Sequence, residues 1–185
     1  MINDILKIAD EKMKKTTESL KKELASMKAG RANPAMIDKI EAEYYGTNTP
    51  INQLGNVSIP ETRVLAIQPW DKSAIKAIEK AILKSDLGIN PSNDGEVIRL
   101  MVPELTEETR RNLVKNIKKS EENSKVAVRS IRRDCNDKLK EMKKNNEITE
   151  DELKSSEDKI QKKTDKFIKE IENIIADKDK QIMSI

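Results

Sequence analysis

The side chains available for chemistry are few in kind. The 185-residue chain has no histidine and one cysteine, Cys135, while 37% of its residues are charged and 2% aromatic. Without histidine, the commonest general base and the commonest metal ligand are missing. One cysteine allows neither an internal disulfide nor a Cys-based zinc site, and it makes a reducing, cytoplasmic compartment the default. Gly88 and Gly95 do not form a phosphate loop, since no G-x-x-x-x-G-K-[ST] pattern occurs. No catalytic, metal-ligating or cofactor-binding residue is assigned. Cys135 falls on an apolar helix seam, where packing is the expected role.

What remains is cationic chemistry. The net charge is +3, but residues 110–144 alone hold 13 basic and 5 acidic side chains, a net of +8, whereas residues 31–104 carry a net of −2. On a wheel of about 100° per residue, Arg111, Lys115, Lys118, Lys125, Arg132 and Arg133 fall within about 60° of Arg129. The apolar seam through Ile117, Val128 and Cys135 lies about 100–120° away, and Glu122 interrupts the basic face. Arg129, Arg132 and Arg133 stand at i, i+3 and i+4, so their guanidinium groups share one patch. Arginine offers a planar fork of donors suited to phosphate. A straight row of cations with no neighbouring aromatic ring fits a shape-and-phosphate contact with folded RNA better than base stacking. The residues alone leave a second reading open, a solvated helix face.

The elements that must hold this face come in three blocks. In residues 2–29, Leu6, Met13, Leu20 and Met27 recur every seven residues beside Ile2, Ala9 and Thr16, until Gly30 and Pro34 stop the helix. Residues 31–104 contain all six prolines. There, strands are expected over 37–45, 56–59, 63–68 and 97–102, with a helix capped by Asp71 and carrying Ile75, Ile78 and Ile82 on one face as far as 86–88. Trp70 reads as an anchor of this small domain; of Tyr44 and Tyr45, one ring can face inward and the other a partner. In residues 105–185, one helix runs from about 106 to 144, some 57 Å at about 1.5 Å per residue. A second starts at a capping box of Thr149 and Glu152, with Ile148 and Leu153 as its staple. It carries Leu153, Ile160, Phe167 and Ile174 at heptad spacing. Heptad-like helices bury their seams only against one another. The expected fold is therefore α+β: a long antiparallel three-helix bundle (1–30 and 105–185) with an inserted β/α/β domain (31–104). The two linkers, Gly30-Arg31 and Pro103-Glu104-Leu105, form a hinge. No stretch approaches the about 20 apolar residues of a membrane span.

The run Gly30-Arg31-Ala32-Asn33-Pro34, the segment Glu43-Tyr44-Tyr45-Gly46 with Thr49-Pro50, and Ser85-Asp86-Leu87-Gly88-Ile89-Asn90-Pro91 resemble ribosome recycling factors. So do Pro103-Glu104-Leu105-Thr106-Glu107-Glu108, the stretch from Val126 to Asp134, and Gln161-Lys162-Lys163-Thr164-Asp165. The resemblance spans the chain. It implies an L-shaped, monomeric, tRNA-sized factor, without cofactor, that binds the large subunit of the post-termination 70S ribosome through ribosomal RNA. Elongation factor G, using GTP, would then push the small domain so that the subunits separate. The resemblance also matches Arg110, Arg129 and Arg132 to the family's RNA-contacting arginines, with Arg133 adjacent; Thr109 stands where many relatives carry a basic residue. On residues alone, the chief alternative is a coiled-coil adaptor for protein partners.

Overall fold

In the computed structural model, residues 1–27 and 30–183 are described; Lys28 and Ala29 of the expected first helix, and Ser184 and Ile185, lie outside them. The elements are α1 (Ile2–Ser26), β1 (Glu41–Tyr44), β2 (Thr47–Pro50), β3 (Gly55–Glu61), β4 (Val64–Pro69), α2 (Ile75–Lys84), β5 (Pro91–Asn93), β6 (Ile98–Met101), α3 (Glu107–Lys144) and α4 (Glu150–Met183). The chain divides into two compact units, one of Met1–Leu24 with residues 114–183, the other of Ala25–Leu113.

The first unit is a three-helix bundle. Ile5 and Ala9 of α1 share a core cluster with Cys135 and Leu139 of α3, and Ser120 Oγ donates to Glu23 Oε1 at 2.7 Å, so α1 and α3 run antiparallel. The pairs Lys125–Glu172 and Arg132–Gln161, each 3.1 Å, set α4 antiparallel to α3. Lys163 with Asp10, and Lys21 with Glu170, set α4 parallel to α1. The seams differ from strict heptads. In α1 the buried residues are Ile5, Ala9, Met13, Thr17, Leu20 and Leu24, so Ile5 and Thr17 replace Leu6 and Thr16. In α4, Ile175 replaces Ile174. A helix of 3.6 residues per turn drifts by about 20° per heptad, and a seam that stays on one face must move by one position. The hydroxyls this brings inside are satisfied along their own helices: Thr17 donates to Lys14 O at 2.8 Å and Thr164 to Ile160 O at 2.8 Å.

The turn between α3 and α4 is closed at both ends. Asn146 (φ 60°) is left-handed, its N–H donates to Lys143 O and that of Glu147 to Met142 O, which is a Schellman stop. The capping box then starts α4: the N–H and hydroxyl of Thr149 both donate to Glu152 Oε2, at 2.7 and 3.0 Å, and Glu152 N–H donates back to Thr149 Oγ1 at 3.2 Å. These bonds hold the Glu152 carboxyl below its ordinary pKa, the backbone donor most of all.

In the second unit, an antiparallel sheet in the order β3-β4-β6-β5 stands beside a two-stranded hairpin, β1-β2. Leu65, Ile67, Ile98 and Leu100 of the sheet form one core with Ile75, Ile78 and Ile82 of α2. Pro60 lies in the register shift between Ser58 and Glu61, where no ladder N–H is needed. Gly55 is required by a close approach, since a Cβ there would sit 2.4 Å from Gln68 O.

Four details depart from the sequence expectation. Ile37, expected to open a strand, instead closes a 3-10 turn, Pro34–Ile37, which forms because Asn33 Oδ1 accepts from Ala35 N at 2.9 Å and proline occupies the first position of the turn. The strand of 37–45 shrinks to β1 and returns as β2, through a turn whose central residues, Tyr45 (φ 48°) and Gly46 (φ 75°), are both left-handed. Trp70 is no anchor: its N–H donates to Leu54 O at 3.1 Å, but its side chain is 73% exposed. Pro69 takes the last buried position of β4, and the pleat sends the next side chain outward. The helix capped by Asp71 begins as a 3-10 turn, Lys72–Ala74, and ends at Lys84.

Candidate nucleic-acid interface

Helix α3 carries the cations and is continuous over 38 residues. Thr106 caps it, accepting from Thr109 N–H at 3.2 Å; Glu107 and Glu108 occupy the first turn and Lys143 and Lys144 the last, matching the helix dipole at both ends.

Within the bundle unit, the expected face is sorted by its neighbours. Arg133 is exposed and makes no ion pair among the described residues. Arg129 is 42% exposed and its Nη1 lies 3.8 Å from Glu122 Oε1, a loose and solvated pair. Arg132 Nη1 donates to the neutral amide of Gln161 at 3.1 Å. Lys125 differs. Its Nζ sits 2.9 Å from Glu121 and 3.1 Å from Glu172, its side chain is 16% exposed, and the two carboxylates raise its pKa. Lys125 is thus a clamp between α3 and α4. Glu121, four residues before Lys125, was legible as its partner in the sequence. Glu172 and Gln161, on α4, carried no signal there because the register of two helices is a tertiary fact.

Arg110 and Arg111 lie in the first turns of α3, which group with the second unit. Arg111 is 79% exposed, with Glu107 at 3.8 Å. Arg110 is half-buried and lines a cavity of about 400 Å³ with Gly30, Thr62, Arg63, Glu104 and Leu105. Here the two expected linkers meet. Ala32 N–H donates to Thr62 O at 2.8 Å and Val102 N–H to Arg63 O at 2.7 Å, so consecutive carbonyls of the β3–β4 turn hold the entering and leaving chains side by side. Arg63 also pairs with Glu104 at 3.2 Å. Gly30 adopts φ 73°, a left-handed conformation suited to glycine. Arg31 and Pro103 are exposed.

Other singled-out groups are structural. Cys135 is buried, and desolvation raises its thiol pKa, the reverse of a nucleophile's requirement. Tyr44 donates its hydroxyl to Asp71 Oδ2 at 2.8 Å, which pushes its pKa up to about 12, and it meets Tyr45 edge-on at 4.5 Å. Tyr45 is 83% exposed. Among the described residues, no helix is long and apolar enough to cross a membrane.

A family model described as "Ribosome recycling factor" matches residues 20–183. The chain is 71% identical over its full length to the ribosome-recycling factor of Clostridium kluyveri and 67% identical to that of Clostridium acetobutylicum, each relative being covered completely. A solution structure of the ribosome recycling factor superposes with a TM-score of 0.82 at 43% identity, covering 100% of this chain and 98% of that one. A second neighbour belongs to models of the T. thermophilus ribosome recycling factor and the E. coli elongation factor G bound to the E. coli post-termination complex; it has a TM-score of 0.68 at 42% identity and covers 98% of each chain. Similarity of this extent, over a bundle with a β-rich unit between its first and second helices, places the chain in the ribosome recycling factor family, whose members are translation factors and not enzymes.

Proposed function

We propose that this protein binds the post-termination ribosome, through the large subunit's ribosomal RNA, and acts with elongation factor G and GTP to split it into subunits in the cytoplasm. The observation that carries the RNA contact is the patch of Arg129, Arg132 and Arg133 on one face of α3, none of them closely ion-paired. Arg110 and Arg111, in the first turns of α3, belong to the same proposed set of RNA-contacting residues. Arginine forks suit phosphate oxygens, and a rigid helix presents them without reordering its backbone. The second part of the proposal concerns the linkers. Gly30-Arg31 and Pro103-Glu104-Leu105 act as a hinge between a bundle of 1–30 and 105–185 and a domain of 31–104, working as a monomer. Two connections held on adjacent carbonyls of one turn support this, since a rotation there strains little else. The motor's push would become displacement of RNA through a stiff bundle.

The test is subunit splitting with elongation factor G and GTP, paired with salt-dependent binding to large ribosomal subunits. Arg132→Ala should weaken binding about 10–100-fold, the range for a charge-assisted contact, with unchanged helicity. Equal binding by the variant and the parent would overturn the role of that arginine.

A further inference from the structure

We propose that Gln161 of α4 is a positioning residue for Arg132, holding its guanidinium toward phosphate without neutralising it. The inference rests on the reading that Arg132 contacts RNA.

Arg132 Nη1 donates to Gln161 Oε1 at 3.1 Å, and Gln161 Nε2 donates to Asp165 Oδ1 at 2.8 Å. The polarity of this chain is forced by its ends. A guanidinium only donates and a carboxylate only accepts, so the amide between them has one satisfactory orientation. Asp165 therefore fixes which face of Gln161 meets Arg132. The partner so presented is neutral. One N–H of the guanidinium is engaged, and the rest of the fork keeps its charge for a bidentate contact.

The same helix treats the neighbouring cation in the opposite way. Lys125, nearly two turns earlier on α3, meets a carboxylate from α4, Glu172, and another from its own helix, Glu121. A glutamate at 161 would do to Arg132 what Glu172 does to Lys125. An amide at 161 orders the long side chain instead, so part of the rotamer freedom that docking removes is already gone in the free protein.

Binding of the full chain to purified large ribosomal subunits is measured as a function of salt for the parent, Q161A, Q161E, R132A and the two double variants. Q161A is expected to weaken binding about threefold to tenfold, the scale of one hydrogen bond, with an unchanged slope of log K against log salt. Q161E is expected to weaken it further and to reduce that slope by about one, because Arg132 becomes ion-paired. A role in folding alone would not move the slope. In the R132A background neither change at 161 should have an effect. The proposal is overturned if Q161A and Q161E bind as the parent does while R132A is weak, a result that leaves the RNA contact standing. It is also overturned if Q161E weakens binding equally with and without Arg132, which is general repulsion. R132A binding like the parent removes the underlying reading and this inference with it.

Discussion

Along α3 the side chains that reach solvent are chiefly cations and carboxylates, and Val126, 49% exposed, is its one large apolar residue there. In the β-rich unit they include Tyr45, Ile59, Trp70, Leu83 and Met101, with exposures from 41% to 83%. Its cations are tied down more often: Lys72 to Glu96 and Arg99 to Asp94, both at 2.8 Å, and Arg63 to Glu104. The difference follows from layer geometry. A helix in a three-helix bundle buries one stripe and leaves a broad face for charge. A sheet alternates, so each core residue of β6 has an outward neighbour, and Met101 beside Leu100 is such a neighbour. One unit thus presents mainly charge to solvent, and the other presents isolated apolar groups as well. Their cores also differ, one a thin seam and the other a sheet capped by α2.

If the two cores are energetically separate, a cavity in one should spare the other. Leu139, fully buried in the bundle seam, is the sharpest probe. Leu139→Ala should cost about 2–5 kcal/mol. Native-state hydrogen exchange should show the loss in the amides of α1, α3 and α4, with Leu65, Ile67 and Leu100 keeping their protection. Equal loss in both sets would show a single cooperative unit and end the comparison. Gly55→Ala should give the mirror-image pattern with a smaller cost, about 1–3 kcal/mol from overpacking. The added methyl meets backbone at Gln68, which cannot move without parting β3 from β4. Exchange should then rise in the sheet while the helical circular dichroism melt stays in place.

The two regions were also unequally legible in the sequence. The long helices announced themselves, and the cap at Thr149 was readable to the residue because its bonds are local. Their seams were offset by one position at Ile5, Thr17 and Ile175, because a heptad template is only close to the helical period. In the β-rich unit, local signals competed. Asn33-Pro34 started a 3-10 turn that takes in Ile37, the first residue of an expected strand, and β5, three residues long, had too few side chains to register. At the candidate interface the cations could be listed from spacing alone. Their states could not, since Lys125 and Arg132 are separated by what α4 places opposite each of them.

The capping box gives a third, smaller test, confined to the bundle. Thr149→Ala should cost about 1 kcal/mol. It should also change the acid limb. Glu152 has a folded pKa below its ordinary value, so its stabilisation is complete above the unfolded carboxylate range, about pH 4.3, and disappears as pH falls through the folded value. The variant keeps the backbone donor but loses the hydroxyl. Its stability should therefore fall less steeply in acid than the parent's, as read by urea titrations at a series of pH values. An identical acid dependence would assign the whole shift to the backbone bond.

The smallest expected effect falls on the feature that most separates the two surfaces. Trp70 is the chain's one tryptophan and would ordinarily be the costliest residue of a small domain to truncate, at about 3–5 kcal/mol when buried. Here only its backbone is engaged, and its side chain is 73% exposed. Trp70→Ala should therefore shift unfolding by no more than about 0.5 kcal/mol. Tryptophan fluorescence of the parent gives an independent reading, since an exposed indole emits at long wavelength and is quenched readily by iodide. A large loss of stability with a blue-shifted, protected emission would put Trp70 in a core and remove the apolar surface from the comparison. A neutral substitution with accessible emission would show that folding does not require the ring, and would keep Trp70 among the solvent-facing apolar groups that separate the β-rich unit from α3.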